Sequence, residues 1–268
     1  SLATRAERDG DEWVVNGQKV WTTLAHISSY GLLIARTNPE VPKHRGITAF
    51  LVDMHAPGVE TRPLRQMTGD AEFNEVYFTD VRIPDRMRLD DEGRGWAVSI
   101  TTLMNERVSI GGSAPPQGSG PIGHLVDTWK GTESDDPVER DRVMRLWITA
   151  EVNRLTNLRA AANRRSGTPG PEGSVAKLAM AELNKDIYEA VVDLLGPRGM
   201  LYGSYDHPES KSALFGDDQH ANFLRARANS IEGGTSEVLK NILGERVLGL
   251  PGDVRVDKEL PWSEVPRS

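Results

Sequence analysis

The chain has 268 residues, a formal net charge of -7, 38% hydrophobic residues and no cysteine. This length can bury one large or two modest hydrophobic cores. The missing cysteines exclude disulfides, thiolate catalysis and cysteine-bound metals, and the negative charge argues against nucleic acid as the main partner. The six histidines are scattered without ligand-like spacing, and no apolar run reaches the length of a membrane span. We therefore expect a cytoplasmic protein with no metal site and no membrane span.

The first third of the chain has the residue pattern of β-strands. Asn16-Gly17 separates two short strand-like runs, and this dipeptide is typical of a two-residue hairpin turn. Further strands are predicted at 30–36, 47–53 and 75–83, because each run is bounded by Pro, Gly or charged turn residues.

From about residue 90 the pattern becomes helical. A first helix is predicted over 93–108, followed by a loop rich in Gly, Pro and Ser over 111–123. Two long helices follow, with apolar seams from Val143 to Leu158 and from Val175 to Leu194. Such seams are typical of helices that pack together in a bundle.

The segment 231–238 precedes the last predicted helix. Gly233 and Gly234 allow the backbone to approach a ligand closely, and either Thr235 or Ser236 can cap the helix. The predicted apolar stripe of this helix is Val238, Ile242 and Val247. A helix start of this kind offers free N–H groups to an anionic or electron-rich ligand.

Four segments, taken in this order, resemble the acyl-CoA dehydrogenase family of FAD-dependent enzymes. They are residues 15–23, 74–84, 93–96, and 231–238 with 245–249. The resemblance implies an α+β fold in which a middle β-barrel or β-sandwich domain is followed by a C-terminal four-helix bundle. It places the partial β domain at 1–86, the bundle at 87–250 and a tail at 251–268, and it leaves the family's N-terminal helical domain without a counterpart.

The resemblance also implies the chemistry. Two hydrogens leave the α and β carbons of an acyl-CoA thioester: a carboxylate takes the α proton, and FAD accepts the β hydrogen as hydride. A glutamate suits this task when burial raises its pKa towards neutrality. An electron-transfer flavoprotein is the acceptor that the family implies.

Two glutamates match positions at which family members carry the base. Glu106 precedes Arg107 on the first predicted helix, as in the isovaleryl-type and long-chain-type branches. Glu232 lies one residue before the position that many other members use, which Gly233 occupies here. We favour Glu106. A base at this position requires a small residue at 233, because a second carboxylate there would repel it, and Gly233 meets that requirement.

Other site residues follow from the resemblance alone. Positions that match flavin contacts are Trp21, Thr23, Thr235 and Glu237. Positions that match the acyl-CoA site are Arg107, Gly233 and Gly234.

Two family features are missing, and they suggest a partner chain. The stretch 112–121 has no arginine where the family carries an Arg-x-x-Phe-Gly segment, and Asp193 and Pro197 replace Gln and Gly of the segment that holds the adenosine half. Some actinobacterial members that act on sterol-derived CoA thioesters are two-chain assemblies, and this chain resembles them in those losses. We expect a homo- or hetero-oligomer, a dimer or tetramer, with a related subunit. The alternatives are a non-catalytic or half-site subunit, and a flavin oxidase or monooxygenase on the same fold.

Overall fold

The computed structural model describes residues 2–110, 115–165, 172–201 and 218–266, without the side chains at 104, 106–110, 164–165 and 172. The described residues divide into two compact units. One comprises 2–103 and 253–266, and the other comprises the described residues from 104 to 252.

The first unit is built on a mixed β-sheet. Its strands are β1 Arg5–Asp9, β2 Glu12–Thr23, β3 Tyr30–Arg36, β4 Ile47–Asp53, β5 Val59–Leu64, β6 Phe73–Pro84 and β7 Arg88–Leu89. The strand order is β5-β6-β2-β1-β3-β4-β7, and only the β1–β3 pair is parallel. The predicted strands at 30–36 and 47–53 are confirmed with their bounds, and the strand at 75–83 lies within β6. A mixed sheet agrees with the expected β module but does not by itself establish a barrel or a sandwich.

The hairpin predicted at Asn16-Gly17 is wrong. β2 continues through both residues, and the two-residue turn lies instead at 10–11, between β1 and β2. The Asn16 side chain bonds across to β6: its Nδ2 donates to Asp80 Oδ1 at 2.9 Å, and the Asp80 N–H donates to Asn16 Oδ1 at 3.0 Å. Gly17 has φ +138°, and a Cβ there would lie 2.8 Å from Thr4 Cα. The dipeptide therefore forms a β-bulge, at which the register of β2 and β6 shifts.

The C-terminal segment 253–266 belongs to the sheet unit. Lys43 Nζ, on the β3–β4 connection, lies 2.6 Å from Asp257 Oδ2. The Arg36 guanidinium stacks over the Trp262 ring at 4.4 Å from its centroid. An ion pair and a cation–π contact thus hold this segment against the end of β3 and the β3–β4 connection.

The second unit is helical. The described helices are α1 Gly95–Ile110, α2 Pro121–Thr132, α3 Pro137–Arg165, α4 Glu172–Leu195, α5 Gln219–Ala226 and α6 Ser236–Arg246, of which α1 begins in the first unit. The two long helices predicted from apolar seams are confirmed as α3 and α4. Their shared core with α2 and α5 contains Leu125, Val143, Ile187, Tyr188, Val191 and Ala226. Of the helices formed by the described residues, none combines the length and the apolar character that a bilayer crossing requires.

The apolar stripe predicted for the last helix is wrong in its main positions. Leu239 is the fully buried apolar side chain of α6, whereas Val238 and Val247 are about half exposed. The helix starts one residue after Thr235 and packs against α4, and with this start position 239 is the one that becomes buried. The predicted apolar seam of α3 is buried over only part of its length: Val143 is buried, but Val152 is exposed within this chain.

Candidate functional site

The segment before α6 has the geometry of a helix start with unpaired donors. Thr235 is the N-cap, because its Oγ1 accepts the Val238 N–H at 3.2 Å. Gly233 and Gly234 have φ +61° and +95°, a region that glycine adopts without strain. No acceptor for the N–H groups of Gly233, Gly234 and Thr235 lies among the residues that the structure describes. Three consecutive donors at a helix N-terminus suit an electron-rich or anionic ligand.

Ser236, the other predicted cap, has a different partner. Its hydroxyl is buried and donates to Glu182 Oε1 of α4 at 3.0 Å. Lys185 lies 2.7 Å from the other oxygen of Glu182, and this donor keeps the pKa of the carboxyl below its usual range. Ser236 therefore ties the first turn of α6 to α4, while Thr235 caps the helix.

Glu232 is held by three donors. Arg225 Nη2 and Nη1 bond its two oxygens at 2.7 and 3.1 Å, and Asn229 Nδ2 donates to Oε1 at 2.8 Å. The Arg225 side chain is only 8% exposed. A bidentate charge-assisted pair of this kind fixes both partners. The glutamate thus anchors the segment to the end of α5.

A buried lysine supports the same segment from α4. Lys177 Nζ donates to the backbone carbonyls of Asn229 at 2.8 Å and Gly234 at 2.6 Å. Burial lowers the pKa of Lys177. Asn184 Nδ2 donates to Asn229 Oδ1 at 3.1 Å, which extends the network one turn or more along α4. Every one of these contacts lies within the helical unit.

Trp21 and Thr23 lie at the end of β2 in the sheet unit. Trp21 has a left-handed backbone, φ +61°, and its side chain is 63% exposed. Its ring meets Phe73 edge-on at 6.0 Å, where the β2–β6 register shifts a second time. Asn74, fully buried, donates to the Thr22 carbonyl at 3.1 Å and fixes this irregular strand end. The bend presents an indole outward rather than into the core.

The remaining predicted residues fare differently. Glu106 and Arg107 belong to α1, but their side chains lie outside the described part of the chain, as do residues 112–114 of the stretch without arginine. Glu237 is exposed in the first turn of α6. Asp193 pairs with Arg142 of α3 at 2.6 Å. The structure therefore brings together Glu232, Gly233, Gly234, Thr235 and Glu237 in one continuous segment.

The sequence analysis missed Arg225, Asn229 and Lys177. Lys177 could have been noticed as a cation two positions after Val175, within a seam predicted to be apolar. Arg225 and Asn229 carry no such signal, because their partner Glu232 is defined only once the chain turns between α5 and α6.

Comparison with known families decides the assignment. The family model described as "Acyl-CoA dehydrogenase, middle domain" matches residues 1–81, and that described as "Acyl-CoA dehydrogenase, C-terminal domain" matches residues 93–248. The chain belongs to the acyl-CoA dehydrogenase family. Both matched domains include segments described above: β2 with Trp21 in the first, and α1 together with the α6 start in the second.

Individual family members are similar over most of this chain. Acyl-CoA dehydrogenase IpdE1 of Mycobacterium tuberculosis (strain ATCC 25618 / H37Rv) is 38% identical over 95% of this chain and 64% of its own length. Acyl-CoA dehydrogenase FadE34 of the same strain is also 38% identical, over 94% of this chain and 33% of its own length. The chain thus spans less than two thirds of these relatives.

Solved structures give the same result for the fold. The "Tcur3481-Tcur3483 steroid ACAD" superposes with a TM-score of 0.79 and 26% identity, covering 94% of this chain and 65% of that one. The ChsE4-ChsE5 complex from Mycobacterium tuberculosis superposes with a TM-score of 0.77 and 31% identity, with the same coverages of 94% and 65%.

Proposed function

We propose that this chain supplies the catalytic base and flavin contacts of an enzyme that dehydrogenates acyl-CoA thioesters between the α and β carbons. The single observation that carries the choice of residues is the anchoring of Glu232 by Arg225 and Asn229. These three N–H donors fix the carboxylate against Arg225 and Asn229 and occupy three of its four lone pairs, which leaves it poorly placed to reach a substrate proton. Within a family that uses a glutamate base, this supports Glu106.

The residues present fit an FAD. An exposed indole at Trp21 can pack against a flat heteroaromatic ring, and Thr23 lies two residues further along at the same strand end. The N–H groups of Gly234 and Thr235, which have no acceptor among the described residues, suit acceptor atoms, and Glu237 lies two residues beyond Thr235 in the first turn of α6. When bound, FAD supplies the chemistry of accepting the β hydrogen with its two electrons.

Glu106 removes the α proton in this proposal. The proton passes to its carboxylate as the Cα–H bond breaks and the Cα=Cβ double bond forms. Arg107, next along α1, orients the base or the substrate by charge-assisted hydrogen bonding. Gly233 and Gly234 let the backbone approach the thioester closely and keep a second carboxylate away from Glu106.

We further propose a heteromeric assembly that acts on a bulky, steroid-type acyl group. The support is the similarity to the Tcur3481-Tcur3483 steroid ACAD and to the ChsE4-ChsE5 complex. Asp193 also supports a half-site. Its carboxylate is negatively charged and pairs with Arg142, so this position supplies no cation to a diphosphate. A related subunit would supply those contacts, and an electron-transfer flavoprotein would reoxidise the enzyme.

An absorbance experiment tests the proposal. The chain, purified alone and together with a related subunit, is examined for a flavin spectrum and then mixed with straight-chain and steroid-type acyl-CoA esters under anaerobic conditions. We expect a yellow complex that is bleached by one class of ester. A complex that carries flavin but is bleached by no acyl-CoA ester contradicts the proposed reaction.

A half-site subunit without chemistry of its own is the second candidate. The observation that favours it is the pairing of Asp193, together with the absence of an arginine from 112–121. It predicts that Glu106→Gln leaves the turnover of the complex unchanged, whereas the leading proposal predicts its loss.

A further inference from the structure

Lys177 is a buried ammonium whose acceptors are both backbone carbonyls. The residue is 5% exposed, and no carboxylate of the described residues lies within ion-pair distance of its Nζ. Burying a charge without an opposite charge in contact is unfavourable unless hydrogen bonds compensate. Its two bonds, to Asn229 at 2.8 Å and Gly234 at 2.6 Å, supply that compensation.

The two carbonyls lie on either side of the segment that contains Glu232. Asn229 lies in the turn Arg227–Ser230 after α5, and Gly234 immediately precedes the α6 cap. One ammonium therefore clamps both ends of the segment against α4. Asn184, also on α4, fixes the Asn229 side chain, which in turn donates to Glu232.

This clamp sets the direction of the Thr235 N–H. In a trans peptide the C=O and the N–H point in opposite directions. The carbonyl of Gly234 points at Lys177, so the N–H of Thr235, in the same peptide, points away from α4. Gly234 tolerates this arrangement because its φ is +95°.

We propose that Lys177 is a positioning residue for the Thr235 N–H, the last of the three donors before α6. It acts through the backbone and touches neither substrate nor cofactor. The inference rests on the proposed function, in which these donors meet the bound flavin or thioester. Loss of the ammonium leaves two buried carbonyls unpaired and lets the Gly234–Thr235 peptide rotate.

The first test needs neither flavin nor substrate. Lys177→Met keeps the length and apolar stem of the side chain, and Lys130→Met, an exposed position on α2, is the matched control. Hydrogen exchange is measured for the amides of Val238 and Leu239, which bond to Thr235. We expect these amides to exchange at least tenfold faster in Lys177→Met than in the wild type. In the control they should exchange at the wild-type rate. Unchanged exchange overturns the clamp.

The second test uses the flavin-loaded protein with its partner and an ester that bleaches the wild type. We expect Lys177→Met to slow flavin reduction at least tenfold with the acyl-CoA Kd within twofold of wild type. A lower Tm with an unchanged reduction rate would assign Lys177 a merely structural role. A wild type that no ester bleaches contradicts the proposed function, while the exchange result still stands.

A chemical rescue separates the charge from the packing. The chain has no cysteine, so Lys177→Cys can be alkylated in denaturant at one position and refolded. Bromoethylamine restores an ammonium at nearly the original reach, and a neutral alkylating agent of the same length is the control. Recovery of exchange protection with the ammonium alone supports the proposal, and equal recovery with both overturns it. Failure of Lys177→Met and both alkylated forms to fold also overturns it, in favour of a structural role.

Discussion

Arg225 holds both carboxylate oxygens of Glu232, at 2.7 and 3.1 Å, from a side chain that is 8% exposed. These contacts indicate a structural role for Glu232. A glutamate next to the family's base position is here the anchor of the segment before α6. It stabilises the geometry of Gly233 and Gly234.

The first prediction concerns the stability of this anchor. Glu232→Gln replaces the charge-assisted pair with the buried Arg225 by hydrogen bonds to a neutral amide, so the free energy of unfolding falls by about 1–3 kcal/mol. Urea unfolding measures the change. Glu237→Gln, at an exposed first-turn carboxylate, is the control and changes stability by about 0.5 kcal/mol. Equal effects of the two substitutions would contradict the anchoring role.

The second prediction concerns backbone conformation at Gly234. A Cβ there would meet only Leu239 Cδ2 at 3.8 Å, so Gly234→Ala is penalised by its φ of +95° and not by a clash. We expect it to lower the free energy of unfolding by about 1–2 kcal/mol. Gly131→Ala, at a helical glycine with open space around it, raises the free energy by about 0.5–1 kcal/mol. Thermal or urea unfolding of both variants checks the opposite signs.

The third prediction separates strain from ligand contact at Trp21. Its φ of +61° disfavours β-branched residues most and glycine least. Trp21→Gly is therefore more stable than Trp21→Val by about 1–2 kcal/mol. Both variants remove the indole, so both lose flavin. The two variants should therefore differ in stability but not in flavin content. Full flavin occupancy in either variant would remove Trp21 from the proposed site.

The fourth prediction is a pH dependence caused by Lys19 of β2. Burial lowers the pKa of this lysine from 10.5 to about 8. Between these two values the unfolded chain binds more protons than the folded chain, so the Lys19 contribution to stability becomes more favourable as the pH rises. Lys19→Met removes the effect, and is more stable than wild type at pH 7 by about 1–3 kcal/mol.

The measurement is urea unfolding of wild type and Lys19→Met at several pH values from 7 to about 10. The stability gap should close as the pH rises, and Lys130→Met, exposed on α2, should show no such trend. A gap that stays constant with pH would show that Lys19 is not desolvated in the fold.

Local patterns were sufficient for the long elements and insufficient where a distant partner decides the structure. The seams of α3 and α4 were recognisable because their periodicity depends only on neighbouring residues. Asn16-Gly17 was misread as a turn, since the bulge depends on Asp80, 64 positions away. The stripe of α6 was misplaced because the helix begins at the Thr235 cap, and from this start Leu239 is the apolar side chain that becomes buried.

The local geometry of the candidate segment was predictable to a similar extent: its glycines and the Thr235 cap could be recognised in 231–238. The assignments of Trp21 and Glu106, which follow from the family resemblance, stay predictions. The supporting residues Arg225, Asn229 and Lys177 could not be assigned from the sequence, because their roles arise from tertiary contacts across α4, α5 and the turn. The domain bounds at 86 and 250 remain predictions.

Rapid-mixing absorbance of the flavin-loaded complex with a reactive acyl-CoA ester tests the division of roles between Glu106 and Glu232 most directly. Glu106→Gln should reduce the rate of flavin bleaching by at least about 1,000-fold, within the range of general base catalysis and its associated positioning, while flavin content stays at the wild-type level. Glu232→Gln, measured well below its unfolding temperature, should bleach within about tenfold of the wild-type rate. The reverse pattern, with Glu106→Gln fast and Glu232→Gln inert, would contradict the account.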